Sequence, residues 1–511
     1  MALTEARPSR FELRAFFKVL LVATLAELLI FAFLVGVHAA LPAGSLREAA
    51  DFAGITLSFT SIATLLAGVA YAWKGFPKYR PAILFLLLVT GSTLVAHLYI
   101  INTPSLPSCR DLLKGVDGCI MDESYYVPAA QVMLNGTQCG PGVANCNPEH
   151  PFLSKALIAA GIAAFGNAAW SWRILNVLLG TFCLPLLFVL VLRVSRSIWV
   201  ASLSLALLGL DVMFFTQSSA ALLDVPMVFF ALLAFVLYFY NVSYWKLDRF
   251  TVAGILLGLS ALSKETAIFL MATLATYHVA AGEGGRKLRL VCAAEMVVVT
   301  AGVFFLGLQA YDSLLARAAF PSFLDQIHYI LAYGASLTGP GWSYGSGTLI
   351  TPLSWITYYG PVVYYPSSTA TYYGVTNLLE TWTVYIWVPL AAYATWKVFK
   401  PRWWGLERFG FVDTESRAFT GRTKMALLSL IWFLWNYVPY VVLWIYGRVT
   451  YPFYIVPALP AVAMGASYFL TLKPVPRYVA LLYVAGAFFF FFVYFPDKSF
   501  LPEWLRAAIG K

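Results

Sequence analysis

The sequence predicts an all-α polytopic membrane protein, and three observations carry that reading. Of 511 residues, 60% are hydrophobic and only 11% charged, with a mean hydropathy of +0.76, where a soluble domain carries about 25% charged residues. Apolar runs of span length recur along the chain, as burial in lipid requires. The basic residues gather in alternate turns between those runs, which is how lysine and arginine mark cytoplasmic loops. Two long polar-aromatic stretches, 102–150 and 311–380, interrupt the pattern.

In order, a polar arm with Arg7, Arg10 and Arg14 precedes an apolar run at 15–40. That run is too long for a cleaved leader and reads as a retained anchor. Runs at 53–73 and 81–101 follow, then the first long loop. The segment 152–166 is short for a span of about 20 residues and reads as a helix lying in the interface. Further spans are expected near 174–193, 198–216, 222–240, 289–310, 381–397, 425–446, 450–471 and 478–495. The run 251–281 is about one and a half spans long, with Lys264 and Glu265 in its middle. Reading it as two short passes that turn at Lys264-Glu265 places most of the 34 basic residues on one side. About thirteen passes result, with the N-terminus cytoplasmic and both long loops external or lumenal. The division is then 1–80, two additional N-terminal spans; 81–310, a catalytic core; 311–380, the second external loop; and 381–511, the C-terminal spans. The net charge of +10 is a topology signal, so nucleic acid is not an expected partner.

The stretch Met121 to Lys155 carries the chemistry. Asp122 and Glu123 are adjacent, and sequence neighbours do not face one direction, so one is expected to point into a site and the other toward a cation. A carboxylate there can take a proton from an incoming hydroxyl; the structural alternative is a helix N-terminus, where acids complement the dipole. Arg173, Asp224, Lys264, Glu265 and Arg448 fall where charge is costly, all near the external face. Cations meeting near acids at a membrane surface suit an anionic ligand with a buried tail, such as a lipid phosphate. Cys109, Cys119, Cys139 and Cys146 lie on that side and predict one or two disulfides, pairing unspecified. Asn135-Gly136-Thr137 is a glycosylation sequon. The five histidines are scattered and no metal site or metal requirement is predicted; no phosphate-cradling glycine loop is present either. An aromatic stripe at 342–374, including Trp355, could stack on sugars or form an interfacial belt.

These residues, taken as an arrangement from about 81 to 471, resemble the GT-C class of glycosyltransferases, and most of all the dolichyl-phosphate-mannose protein mannosyltransferase (PMT) family. The family's Asp-Glu pair is matched by Asp122-Glu123. Its His-Pro segment is matched by His150-Pro151-Phe152-Leu153-Ser154-Lys155, with Phe152 in place of a second proline. Trp172-Arg173, Leu223-Asp224, Gly258 to Lys264, Pro352 with Trp355 and Tyr364-Tyr365, and Arg448-Val449-Thr450-Tyr451 match in turn. Ser219 stands where the family often has arginine. The resemblance implies a GT-C-type bundle that transfers a sugar, mannose by family default, from a polyprenyl-phosphate donor to an acceptor hydroxyl by inversion. The acceptor is a protein in that family, a lipid or glycan in related ones. No cofactor is implied, and the oligomeric state is left open. In the implied site Asp122 is the base, with Glu123 beside it. Arg173, Lys264, Arg448 and Lys155 hold the donor phosphate, and His150, Asp224, Glu265 and Trp355 support them. An oligosaccharyltransferase lacks its Trp-Trp-Asp motif here. A transporter or lipid flippase, the competing class, lacks an internal repeat.

Overall fold

In a computed structural model of the chain, the described residues are 80–105, 118–135, 146–243, 247–314, 320–339, 342–344, 348–357, 361–365, 370–403, 421–499 and 502. The expected spans at 15–40 and 53–73, Cys109, Cys139 and most of the sequon lie outside them. The described chain is mostly helical. Its helices are α1 (Arg80–Ile100), α2 (Glu123–Leu134), α3 (Leu153–Phe165), α4 (Ala169–Ser195), α5 (Ile198–Gly209), α6 (Val212–Ser219), α7 (Asp224–Phe239) and α8 (Arg249–Ser263). A 3-10 turn, Glu265–Ala267, leads to α9 (Ile268–Ala281), α10 (Arg286–Leu314) and α11 (Phe323–Ser336). After α12 (Pro352–Trp355) come α13 (Leu378–Trp403), α14 (Gly421–Ile445), a 3-10 segment Pro452–Ala458 continuing as α15 (Leu459–Leu470), and α16 (Arg477–Tyr494).

Among the described residues six helices are long and apolar enough to cross a membrane, or up to seven if the bent pair α5–α6 counts as one. The expected number of about thirteen includes the two runs outside the described residues and shorter helices such as α7 and α8. The run expected as one span at 198–216 is broken, with its halves bent by 61°. Asp211 makes the break: its carboxylate accepts the Phe214 N–H at 2.8 Å, capping α6, and the Asn377 N–H at 3.0 Å.

The run at 251–281 divides into α8 and α9, which double back. Arg249, opening α8, reaches Glu283, just past α9, at 3.4 Å. The Lys264-Glu265 turn is therefore at the other end. Next to it, α10 runs in the same direction as α8 at close approach. A methyl group on Gly254 would lie 2.8 Å from Val299 Cβ, and one on Gly258 would lie 2.5 Å from Val303 Cβ. Small residues four apart let two helices meet in this way where lipid gives no hydrophobic drive. The core centres on α7 and α15, which are almost wholly buried. On α1, α10 and α16 the exposed residues are instead large and apolar, among them Leu88, Val298, Leu306, Leu482 and Phe489, as lipid-facing helices require.

Described parts of both long loops meet at the end that holds Lys264-Glu265, His150 beside Glu265 and Gly334 beside Arg448. Within the first loop, residues 123–134 form α2, so Asp122-Glu123 do stand at a helix N-terminus, as the structural alternative expected. This helix packs with α3, whose burial of Ser154, Lys155 and Ile158 through Ala163 makes it an integral part of the bundle end. Cys119 and Cys146 are both disulfide-bonded; Cys183 and Cys292 are free. The second loop contains α11, which exposes Leu324 and Leu331 and buries Gln326 and Ile330. It also contains two antiparallel pairs of short strands, β1 (Trp342–Tyr344) with β2 (Thr348–Ile350) and β3 (Val362–Tyr365) with β4 (Tyr372–Gly374).

Candidate active site

Asp122 is the N-cap of α2, and Glu123 its first residue. The chain enters through Met121 at φ 55°, a left-handed conformation that costs a non-glycine residue on the order of 1 kcal/mol. The turn sends the two adjacent acids to different environments. Glu123 goes inward and is fully buried. Its carboxylate accepts Arg173 Nε and Nη2 at 2.8 Å each, the Ala221 N–H at 2.8 Å and the Ile120 N–H at 2.8 Å. Arg173, at the start of α4 and equally buried, also donates through Nη1 to the carbonyls of Ile101 and Thr103 at 3.0 Å and of Pro104 at 3.2 Å. One ion pair thus ties together the ends of α1, α2, α4 and α6.

Two more pairs lie at the same end. Asp224 opens α7, where the helix dipole favours an acid, and both its oxygens accept Lys264 Nζ at 2.8 Å. Lys264 ends α8, where a cation is favoured, and lies over the rings of Phe453 at 5.2 Å and Tyr454 at 5.3 Å. Glu265 Oε2 is 3.1 Å from His150 Nδ1. Burial works against the Glu265 charge, but His150 beside it and then Lys264 hold the carboxyl down to about 2.

Asp122 stands apart from this pairing. Of Asp122, Glu123, Asp224 and Glu265, it alone has no Lys, Arg or His nitrogen within 4.0 Å among the described residues. Its Oδ2 accepts only the Tyr126 hydroxyl, at 3.4 Å, and the carboxylate is half-buried. Burial pushes its pKa above the ordinary carboxylate value, against Lys264 and His150, while Asp224 adds to the rise. A carboxylate whose pKa is raised is a stronger base and is suited to accept a proton.

Among the expected phosphate contacts the cations divide. Lys155 is 3% exposed and binds the carbonyl of Asn147 and that of His150 at 2.7 Å. Burial pushes its ammonium down to about 7, against Glu149 and Glu265. It braces the His150 loop, as Arg173 braces Glu123. Arg448 is half-buried and lies at the edge of the cluster. Gly447 at φ 81° ends α14, and the Arg448 N–H bonds back to the Leu443 carbonyl at 3.0 Å while the Gly447 N–H bonds to Trp444 at 2.9 Å. This helix stop sets Arg448 beside Tyr454, with its guanidinium 5.8 Å from the ring. Arg448 Nε donates to the Gly334 carbonyl at 2.7 Å, strapping α11 to the site. Tyr454 therefore lies under both Lys264 and Arg448. Trp355 is fully buried against Tyr440 and Tyr437, so its ring is out of reach of a sugar.

Two side chains escaped notice in the sequence. Tyr126 follows Asp122 by four residues, the spacing at which side chains meet on a helix, and also sets its ring edge-on to His150 at 6.0 Å. Asn147, at φ 47°, turns the chain so that its carbonyl and side chain meet Lys155. Among the described residues no three His, Cys, Asp or Glu side chains are grouped as a metal site.

Residues 159–282 match the family model of dolichyl-phosphate-mannose-protein mannosyltransferase. Over these residues the chain is similar to the PMT family. That segment contains Asp224 and Glu265, two of the four acids, and Arg173 and Lys264, two of the three side chains paired with them. A polyprenol-phosphate-mannose–protein mannosyltransferase of Mycobacterium tuberculosis is 38% identical over 118 residues, 23% of this chain and 22% of the relative. The enzyme of that name from Mycolicibacterium smegmatis is 37% identical over 118 residues, with the same shares. The chain thus aligns with about a fifth of the length of these curated relatives. The Saccharomyces cerevisiae protein O-mannosyltransferase Pmt1-Pmt2 complex, solved bound to the sugar donor, superposes with a TM-score of 0.62 at 11% identity. That match spans 81% of this chain and 90% of the other, and shows a shared fold.

Proposed function

We propose that the protein transfers mannose from a polyprenyl-phosphate donor to a protein hydroxyl, with Asp122 as the general base. The carrying observation is that Asp122 is the one acid of the four without an ionic partner. The curated relatives are named for this reaction, and the fold agrees. The acceptor hydroxyl gives its proton to Asp122 Oδ2 as its oxygen attacks the anomeric carbon. The bond from that carbon to the phosphate oxygen breaks with inversion, and the leaving group is the polyprenyl phosphate. Arg448, half-buried beside Tyr454, is the cation best placed to stabilise the charge gathering on it, with Lys264 behind it held by Asp224. Glu123 holds Arg173 rather than substrate, and Arg173 and Lys155 position the loop instead of contacting the donor. The positive-inside pattern puts this end on the external or lumenal face, opposite the Arg249 end.

The test supplies purified protein with radiolabelled polyprenyl-phosphate-mannose and a Ser/Thr-rich peptide, with and without chelator. Label on the peptide that survives chelator is expected. Donor hydrolysis without peptide labelling would move the acceptor to a lipid or glycan. Absence of donor binding would overturn the enzyme reading and favour transport.

A further inference from the structure

The helices that end at the candidate site begin or finish, at their far ends, around a second concentration of charge. A cavity of about 190 Å³ there is lined by Arg193 and Arg196 at the end of α4, Tyr238 of α7, Arg249 at the start of α8, Glu283 after α9, and Lys424 of α14. Four cations face one carboxylate, and that carboxylate is itself 87% exposed. Two of the cations are fixed as walls. Arg193 donates to the Phe239 carbonyl at 3.0 Å and lies over Tyr240. Arg249 lies over Tyr238 at 5.3 Å and Phe250 at 4.8 Å and reaches Glu283 at 3.4 Å. The side chains of Arg196 and Lys424, which line the cavity, make no hydrogen bond or ion pair among the described residues. Arg196 takes φ 59° as the left-handed C-cap of α4, its N–H bonded to the Leu192 carbonyl at 2.9 Å, which fixes its backbone at the cavity edge.

Loop lysines and arginines that only orient a membrane protein need no walled cavity. Here the charges converge on a space of roughly six water volumes, with aromatic rings behind them. We infer that this cavity binds a phosphate-bearing anion, taken either from the headgroup of an anionic lipid in the adjacent leaflet or from a soluble phosphate ester. Basic pockets between membrane helices recognise such headgroups through the same charge pairing.

The experiment is native mass spectrometry of the full chain in detergent, titrated with dioleoylphosphatidylglycerol, with dioleoylphosphatidylcholine as the neutral lipid, or with glycerol 3-phosphate. The parent protein is expected to retain phosphatidylglycerol over phosphatidylcholine. The double variant R196Q/K424Q should weaken that retention about tenfold or more, at roughly one order of magnitude per one to two surface cations. R196K/K424R should keep it, and so should R286Q/K287Q, which removes two exposed charges from the same end but outside the cavity. Glycerol 3-phosphate binding with the same dependence, and no preference among lipids, would assign the cavity to a soluble ester. Equal retention of both lipids with no ester binding overturns the proposal. So does a loss in R286Q/K287Q as large as in R196Q/K424Q, because the attraction would then belong to diffuse surface charge.

Discussion

Asp122→Asn and Glu123→Gln are one residue apart and conservative to the same degree, yet the structure predicts opposite phenotypes. Asn at 122 still accepts the Tyr126 hydroxyl and breaks no ion pair, because none is present. The sign of the charge effect points the same way. Burial raises the Asp122 pKa, so the ionised carboxylate costs stability as pH rises through that value, and removing it cannot destabilise by this route. Thermal stability should stay within about 0.5 kcal/mol of the parent. Turnover at saturating donor should fall about 10²- to 10⁴-fold, roughly 3–5 kcal/mol on the barrier. Gln at 123 leaves Arg173 buried without its counter-charge and turns one acceptor of four N–H groups into a donor. Breaking a buried pair from one side costs about 3–5 kcal/mol, so this variant should unfold at markedly lower temperature in detergent, read by size-exclusion chromatography after heating. The protein that stays folded should retain turnover within a few fold. Near-parental turnover in Asp122→Asn would remove it as the base. A Glu123→Gln protein as heat-stable as the parent would refute the account of the buried pair.

Arg448→Gln should raise the donor KM about tenfold or more, the worth of one charge-assisted contact, with heat stability nearly unchanged; titrating donor at fixed peptide checks it. The pH profile of kcat/KM should show an acidic limb above the usual carboxylate value near 4, because Asp122 must be ionised to accept a proton and its pKa is raised. That limb should vanish from the residual rate of Asp122→Asn. Glu265 has the opposite sign: its carboxyl is held near 2, so the stability it contributes is present at neutral pH and is lost as pH falls below about 4. His150→Gln should remove most of that acid sensitivity in heat-stability measurements made from pH 7 to pH 3. Gly258→Leu would drive a side chain into Val303 and should cost on the order of 1–3 kcal/mol, seen as a lower unfolding temperature with the Asp122-dependent pH profile intact.

That these charges would gather at one end was legible in the sequence, because charge at a membrane boundary is expensive and therefore conspicuous. How they pair was not. Lys264 meets Asp224 across 40 positions, and Glu123 meets the Ala221 N–H across 98, distances over which neither spacing nor periodicity carries information. That is why Arg173 and Lys155 read as free phosphate ligands, although each is enclosed by carbonyls. Trp355 looked like a sugar platform because composition cannot tell an interfacial aromatic from a buried one. The bend in 198–219 was hidden by continuous apolarity, with Asp211 its one signal. The turn at Lys264-Glu265 was visible because two charges in a long apolar run admit few other arrangements.

The arrangement of pairs bears directly on how one carboxylate can act as a base at a lipid boundary. An acid left alone there would sit protonated through desolvation, and one paired to a close cation would be too weakly basic. Asp122 lies between these limits. Burial raises its pKa, while Lys264 and His150 pull it back from a distance because each is already engaged, by Asp224 and Glu265. Their partners prevent either cation from closing on Asp122 and quenching it. Removing Asp224 or Glu265 should therefore affect the base through the cation it releases, even though neither acid meets the acceptor. The costly charges at this end act as a set, in which Lys264 with Asp224 and His150 with Glu265 shape the field that Asp122 feels.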